Sequence, residues 1–392
     1  MAGKTYFFDR AVSVSTTVAV AFAFWAGGQG LATAEAAEAE EAEAATVLTL
    51  APSEGNPRNS EGDFVRLEDG RVLFVYTRFS GGGSDHDRAD LVSRVSADGG
   101  VTWSSKDELV VKNEGDFNVM SVSLLRLADS RIALFYLVKN SLDDCRPVVR
   151  FSTDEAASWS ELVAMISDDE IGYHVLNNDR VVQLESGRLV APVALHNRPD
   201  WEEPDWNGEV TCYLSDDGGK TWRRSRTLQK ARDAQGGRVV AQEPGVVELK
   251  DGRLLMWVRT GSGVQFGAHS GDGGETWSSF EPLGIASPRS PASIERIPST
   301  GDLVMAWNNH ADLPLEDRRN RTPFTVAVSR DDGLSWGHVR NVASDPEGWY
   351  CYTAIDFVGD HVLFGHVAGE GEKGRRLSTT RVTRIPVTSL YE

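Results

Sequence analysis

The chain has 392 residues, with 40 Lys and Arg against 58 Asp and Glu, a formal charge of −18 and 40% hydrophobic residues. So acidic a composition excludes non-specific nucleic-acid binding, because nothing in it offsets phosphate repulsion. Cys145, Cys212 and Cys351 are far apart with no CxxC pair, so no metal site is indicated, at most one disulfide can form, and three buried free thiols are expected.

At the start, Lys4 and Arg10 precede an apolar run from Ala11 to Trp25, and small residues follow at Ala32-Thr33-Ala34. This is the order of an export signal, shorter than the roughly 20 residues that span a bilayer, with cleavage expected after Ala34. Residues 1–34 are thus read as a signal peptide, and the mature protein as secreted or periplasmic without stable membrane insertion. Residues 35–45, "EAAEAEEAEAA", form an acidic low-complexity tether with nothing to bury. These two segments hold −4 of the charge and leave −14 on residues 46–392.

Along that body one motif recurs five times: "SADGGVTW" (Ser96 to Trp103), "STDEAASW" (Ser152 to Trp159), "SDDGGKTW" (Ser215 to Trp222), "SGDGGETW" (Ser270 to Trp277) and "SRDDGLSW" (Ser329 to Trp336). Each follows an alternating strand and carries hairpin-turn chemistry: Asp and Ser bond turn amides, Gly permits positive φ, and Trp packs on a neighbour. The second copy has Ala156 where the others have Gly or Asp, and reads as a degraded turn.

A second pattern interleaves with the first, as in "VRLEDGRVLFVYTR" (Val65 to Arg78) and "VELKDGRLLMWVRT" (Val247 to Thr260), and occurs six times. Six first hairpins and five second ones make six four-stranded sheets, the last closed by terminal segments such as "TVLTL" (Thr46 to Leu50) and "TTRVTRIPV" (Thr379 to Val387). The expectation is an all-β fold, a six-bladed β-propeller of four-stranded antiparallel blades over residues 46–392.

In a blade the first strand follows the central channel, so its start and the end of the antiparallel second strand lie at one mouth. That sorting gathers Arg58, Asn118, Asn178, Arg180, Glu243, Arg289 and Tyr352 with Arg78, Lys139, His196 and Arg259, joined by loops carrying Asp85 and Arg321. Arginines converging beside acids and a tyrosine suit recognition of a carboxylate, because the guanidinium grips it with two parallel hydrogen bonds. "DWEEPDW" (Asp200 to Trp206) is an exposed loop whose tryptophans either stack on sugar or pack.

These residues resemble the sialidase (neuraminidase) superfamily: the repeated turns are like its Asp boxes, and the blade count is its own. The glutamate of "QEPGVVELKDGRLLMWVR" (Glu243) and its closing Arg259, Arg321 in "NRTPFTVAVSRDDG", and Tyr352 in "CYTAIDF" stand in the family's order. Arg58 matches the family's first arginine, although Asn59-Ser60 stands where Ile-Pro is usual. The acid/base aspartate is matched to Asp85 in "RFSGGGSDHDRAD", with Asp87 and Asp90 as the alternatives in that loop.

The resemblance implies a retaining exo-hydrolase of sialylated glycans, needing no cofactor. Tyr352 is its nucleophile, Glu243 the base, Asp85 the acid with a raised pKa, and Arg58, Arg259 and Arg321 the grip on the substrate carboxylate. Arg180, Gln242, His86 and Asn178 are further candidates for contact with the glycan. Two alternatives stay open: the same fold acting on another acidic sugar such as Kdn or Kdo, and a non-catalytic carbohydrate-binding propeller.

Overall fold

A computed structural model describes residues 44–311, 320–370 and 375–392. The segment read as a signal peptide, nearly all of that read as a tether, and residues 312–319 lie outside them. The fold is a ring of six antiparallel sheets, as expected. Blade 1 runs from Arg58–Arg66 outward to Glu108–Val111, and blade 2 from Asn118–Arg126 to Val163–Ala164. Blade 3 has an interrupted inner edge, His174–Val175 and Val182–Gln183, both paired with Leu189–Leu195. Blades 4 and 5 begin at Gln242–Glu248 and Ser293–Arg296, and blade 6 at Gly348–Val358.

The ring closes through the chain's two ends. Ala45–Leu50 is the outermost strand of blade 6 and pairs antiparallel with Thr380–Pro386, Leu50 opposite Thr380. The strand starts at Ala45, one residue inside the segment read as tether. The apolar core is divided among layers between neighbouring blades, such as Val190, Val210 and Leu214 of blade 3 against Val246, Met256 and Val258 of blade 4. This division lets one domain grow past the usual size of a single core.

The rim turns are built as their composition dictates. In the first, Ser96 Oγ donates to Asp98 Oδ1 at 2.8 Å, and the Thr102 amide donates to the same oxygen at 2.8 Å. The expectation of a degraded second turn is corrected: Ala156 N reaches Ser152 Oγ at 2.9 Å and Ser158 N reaches Asp154 Oδ1 at 2.9 Å, the same pattern. Glu155 and Ala156 hold φ of 58° and 63° without glycine. Glu155 is fixed by Arg126, at 2.9 and 2.6 Å to its two oxygens, which supplies the support the missing glycines do not. All three cysteines are buried free thiols.

Candidate active site

The inner strands share one device. Those of blades 1, 2, 4 and 6 each break register between Ser60 and Asp63, Met120 and Ser123, Gln242 and Gly245, and Cys351 and Ala354. Inside those breaks Glu61, Ser121, Glu243 and Tyr352 take φ of 52°, 62°, 51° and 55°. A bulge with a left-handed residue turns that side chain out of the sheet's alternation and re-aims it. For a residue with a Cβ the conformation costs on the order of 1–3 kcal/mol and persists only where the surroundings impose it. Gly245 shows the enforcement: a Cβ there would stand 2.2 Å from the Trp257 ring.

The four re-aimed side chains line one cavity of about 330 Å³, together with Asp85, Lys139, Tyr173, Trp206, Gln242, Arg259, Arg289 and Arg321. At its floor the Tyr352 hydroxyl donates to Glu243 Oε1 at 3.3 Å, and Arg259 Nη1 bonds that same oxygen. The Arg321 guanidinium lies 5.3 Å from the Tyr352 ring centre and 5.5 Å from that of Trp349. Glu243 Oε2, Arg259 Nε and Arg321 Nη1 are buried with no hydrogen-bond partner among the described residues. Such atoms cost on the order of 1–3 kcal/mol each while unpartnered, and these three are placed to take a ligand's hydrogen bonds.

The charges set the protonation. Burial pushes Glu243 up, but Arg259 and Arg321 outweigh it and hold the carboxyl below its usual range. Burial and the adjacent Glu243 push the Tyr352 phenol up against the pull of Arg321 and Arg259, and it ends above an ordinary tyrosine. The resting pair is therefore a carboxylate facing a neutral phenol.

Asp85 stands on the cavity wall, its side chain 54% exposed, with Oδ1 2.5 Å from Arg58 Nη1. Its loop is pinned from below: Asn118 Nδ2 donates to the carbonyls of Asp85 at 2.9 Å and Asp87 at 2.8 Å, and Lys139 Nζ to that of Asp85 at 3.1 Å. Asp87 and Asp90 spend their carboxylates on loop structure, accepting from Ser84 N at 2.8 Å and Asn113 N at 2.7 Å. The expected rise in the pKa of Asp85 is reversed in this state: the partial desolvation of its half-exposed side chain raises it, but Arg58, Lys139 and the Arg58 hydrogen bond bring it down to about 2.

Arg58 is 2% exposed and faces an adjoining cavity that shares Leu377 with the first. Its guanidinium bridges Asp85 and Glu61, the latter at 3.0 Å. Sequence reasoning missed Glu61, which also accepts from Ser121 Oγ; burial raises its pKa despite Arg58. Only the bulge betrays it, because "SEGDF" otherwise reads as plain strand.

The remaining candidates divide. Gln242 lines the cavity, with Nε2 on the Trp206 carbonyl at 2.7 Å and Oε1 accepting from Arg289 at 3.2 Å. His86 is exposed at the rim, its ring 5.5 Å from Phe117. Arg180 and Asn178 are buried and do not line the cavity. Arg180 ties blade 3 to blade 5 through Ala292 O at 2.8 Å, and Asn178 Nδ2 donates to Tyr352 O at 3.1 Å. Both support the floor from beneath. Arg78, placed at the mouth by its strand, pairs instead with Asp107 at 3.5 Å.

Comparison with known proteins follows the same lines. The family described as BNR repeat-like domain matches residues 105–363. An anhydrosialidase of Macrobdella decora is 28% identical over 229 residues, which is 55% of this chain and 28% of that protein. This chain thus spans well under half the length of that relative. A Dyadobacter fermentans protein of unknown function superposes with a TM-score of 0.66 at 18% identity, over 87% of this chain and 99% of its own. A leech intramolecular trans-sialidase, solved with 2,7-anhydro-Neu5Ac, gives 0.68 at 16% identity, over 89% and 71%. The structural likenesses carry the fold. With the family match running over more than half of its length, and with six blades and repeated rim turns, the chain belongs to the BNR repeat-like domain family.

Proposed function

We propose that the protein is an exo-sialidase-like glycoside hydrolase that removes terminal sialic acid with retention. The observation that carries this reading is the Tyr352 hydroxyl held 3.3 Å from the Glu243 carboxylate under two guanidiniums. A sialoside bears a carboxylate on its anomeric carbon, which would repel an anionic nucleophile; a neutral phenol avoids that repulsion. Arg259 and Arg321, with Arg58 behind Asp85 and Glu61 on the cavity wall, would grip the carboxylate through donors such as Arg321 Nη1 that have no internal partner.

In the first step Tyr352 Oη bonds to the anomeric carbon while its proton passes to Glu243. Asp85 gives its proton to the departing glycosidic oxygen. In the second, Asp85 takes a proton from water, the water oxygen bonds to the anomeric carbon, and the Tyr352–carbon bond breaks as Glu243 returns the proton to the phenolate. Asp85 must therefore hold a proton in the complex, although Arg58 and Lys139 keep it low in the free protein. An arriving substrate carboxylate supplies that change: it competes for Arg58 and sets a negative charge near Asp85, and both effects raise an acid's pKa.

Release of sialic acid from a fluorogenic sialoside tests the assignment. Tyr352→Phe is expected to lose activity on the order of 10³-fold or more, and equal rates in the two proteins would remove Tyr352 from the mechanism. The named relatives favour a second reading, in which a hydroxyl of the sugar itself replaces water. Mass analysis separates the two, because the product of internal transfer is lighter by one water.

A further inference from the structure

Beside the catalytic cavity lies a second one of about 410 Å³, and Trp206 and Arg289 form a wall of both. Its remaining surface is mixed, with Glu203, Asp205 and Asn207 as polar groups and Pro204 and Val240 as apolar ones. Trp206 is 45% exposed, an unfavourable place for an indole. One of its faces is covered, because the His196 ring stacks on it at 5.7 Å and 28°. The Tyr173 ring meets it edge-on at 5.9 Å.

The loop that presents Trp206 is fixed at several points. Asp205 N donates to His196 O at 2.8 Å, Ala241 N to Asn207 O at 2.7 Å, and Gln242 Nε2 to Trp206 O at 2.7 Å. Arg238 holds the Asp205 carboxylate at 2.5 Å. Gly208, at φ 84°, closes the loop so tightly that a Cβ would lie 2.4 Å from Ala241 O. An exposed aromatic face on so constrained a loop is preorganised, so a ligand would lose little free energy in ordering it. Hydrogen-bonding groups surrounding an apolar plate match a sugar ring, which has hydroxyls at its edge and C–H groups on its face.

We infer that this second cavity is a subsite for the neutral sugar next to the terminal acidic residue, with Trp206 as the stacking plate and Arg289 as the boundary between the two rings. The inference rests on the sialidase reading of the first cavity and adds the part of the glycan that the first cavity does not hold. It makes the cleft selective for an acidic sugar attached to another sugar over one attached to a small alcohol.

The test compares kcat/KM on 3′-sialyllactose with that on the methyl sialoside for the wild type, Trp206→Ala and Trp206→Tyr, each checked for a native melting transition. The Ala variant is expected to lose roughly tenfold more on sialyllactose than on the methyl glycoside, chiefly through KM, and Tyr to restore most of that difference. Equal losses on both substrates, or none on either, overturn the subsite. Where the wild type turns over neither substrate, saturation-transfer NMR with lactose alone decides: contact with the wild type that vanishes in Trp206→Ala upholds the subsite while the sialidase reading fails, and no contact with the wild type overturns the subsite too.

Discussion

At the scale of single residues, the site depends on side chains that a regular strand would point elsewhere. Glu61, Ser121, Glu243 and Tyr352 reach one cavity because each sits at positive φ inside a bulge. Glu243 and Tyr352 were legible from their order along the chain, but Glu61 was not, since nothing in "SEGDF" marks the phase of the bulge. The local charge balance of Asp85 was also beyond the sequence, because the pairing of Arg58 with both Asp85 and Glu61 exists only after folding. Two predictions belong here. Glu243→Gln keeps the shape but removes the base, and steady-state kinetics should show kcat lower by about 10²–10⁴-fold. Lys139→Met removes a cation that favours ionised Asp85; its pKa then rises, and the alkaline limb of the pH profile of kcat should move to higher pH. A limb unmoved in that variant would mean that Asp85 is not the group titrating.

At the scale of the element, the rim turns and the inner strands do different work. The turns were readable because their hydrogen bonds are local: Asp217 alone accepts from Lys220 N, Thr221 N and Thr221 Oγ1 at 3.0, 2.9 and 2.6 Å. The second turn misled because its support is not local; Arg126, which fixes Glu155, comes from an inner strand distant in sequence. Gly219, at φ 86°, stands where a Cβ would lie 2.6 Å from the Phe151 ring of the preceding blade. Gly219→Ala should therefore cost about 1–3 kcal/mol in denaturant unfolding while leaving the kinetics of the remote site unchanged. The interrupted inner strand of blade 3 was not legible. The hairpin pattern starts that strand at Val182, after Asn178 and Arg180, but His174–Val175 pairs with the same neighbour, and Asp179 at φ 54° interrupts the edge and accepts at 3.0 Å from Ile355 N across the channel.

At the scale of the whole molecule, blade number and closure followed from counting hairpins, because each repeat can bury its apolar faces only against the next. What counting could not show is how the two ends of the channel differ. The end opposite the site gathers Asp63, Asp179, Glu295 and Asp356 around a cavity of about 630 Å³. Burial raises all four, and repulsion from neighbouring carboxylates adds to it for Asp63, Glu295 and Asp356, which reaches about 7. An acid whose folded pKa is raised stabilises the fold at low pH, and that contribution fades as pH rises through the folded value. His174 and His366 are held neutral by burial at about 4, so their unfavourable effect falls below the ordinary histidine range near 6.5. Above that range the acids act, and the three buried thiols, also raised by burial, add a change of the same sign as pH nears about 8.5. The melting temperature should fall between pH 6.5 and about 8.5, and Asp356→Asn should flatten the fall; a melting temperature that rises there would contradict this account.

The central claim is that Tyr352 becomes covalently bound to the sugar. Incubation with a fluorinated sialosyl fluoride that reacts but releases slowly, followed by peptide mass mapping, tests it most directly. The account predicts the added sugar mass on the peptide containing Tyr352 and none in Tyr352→Phe. Turnover of sialosides with the label on another residue, or with label retained in Tyr352→Phe, would contradict it.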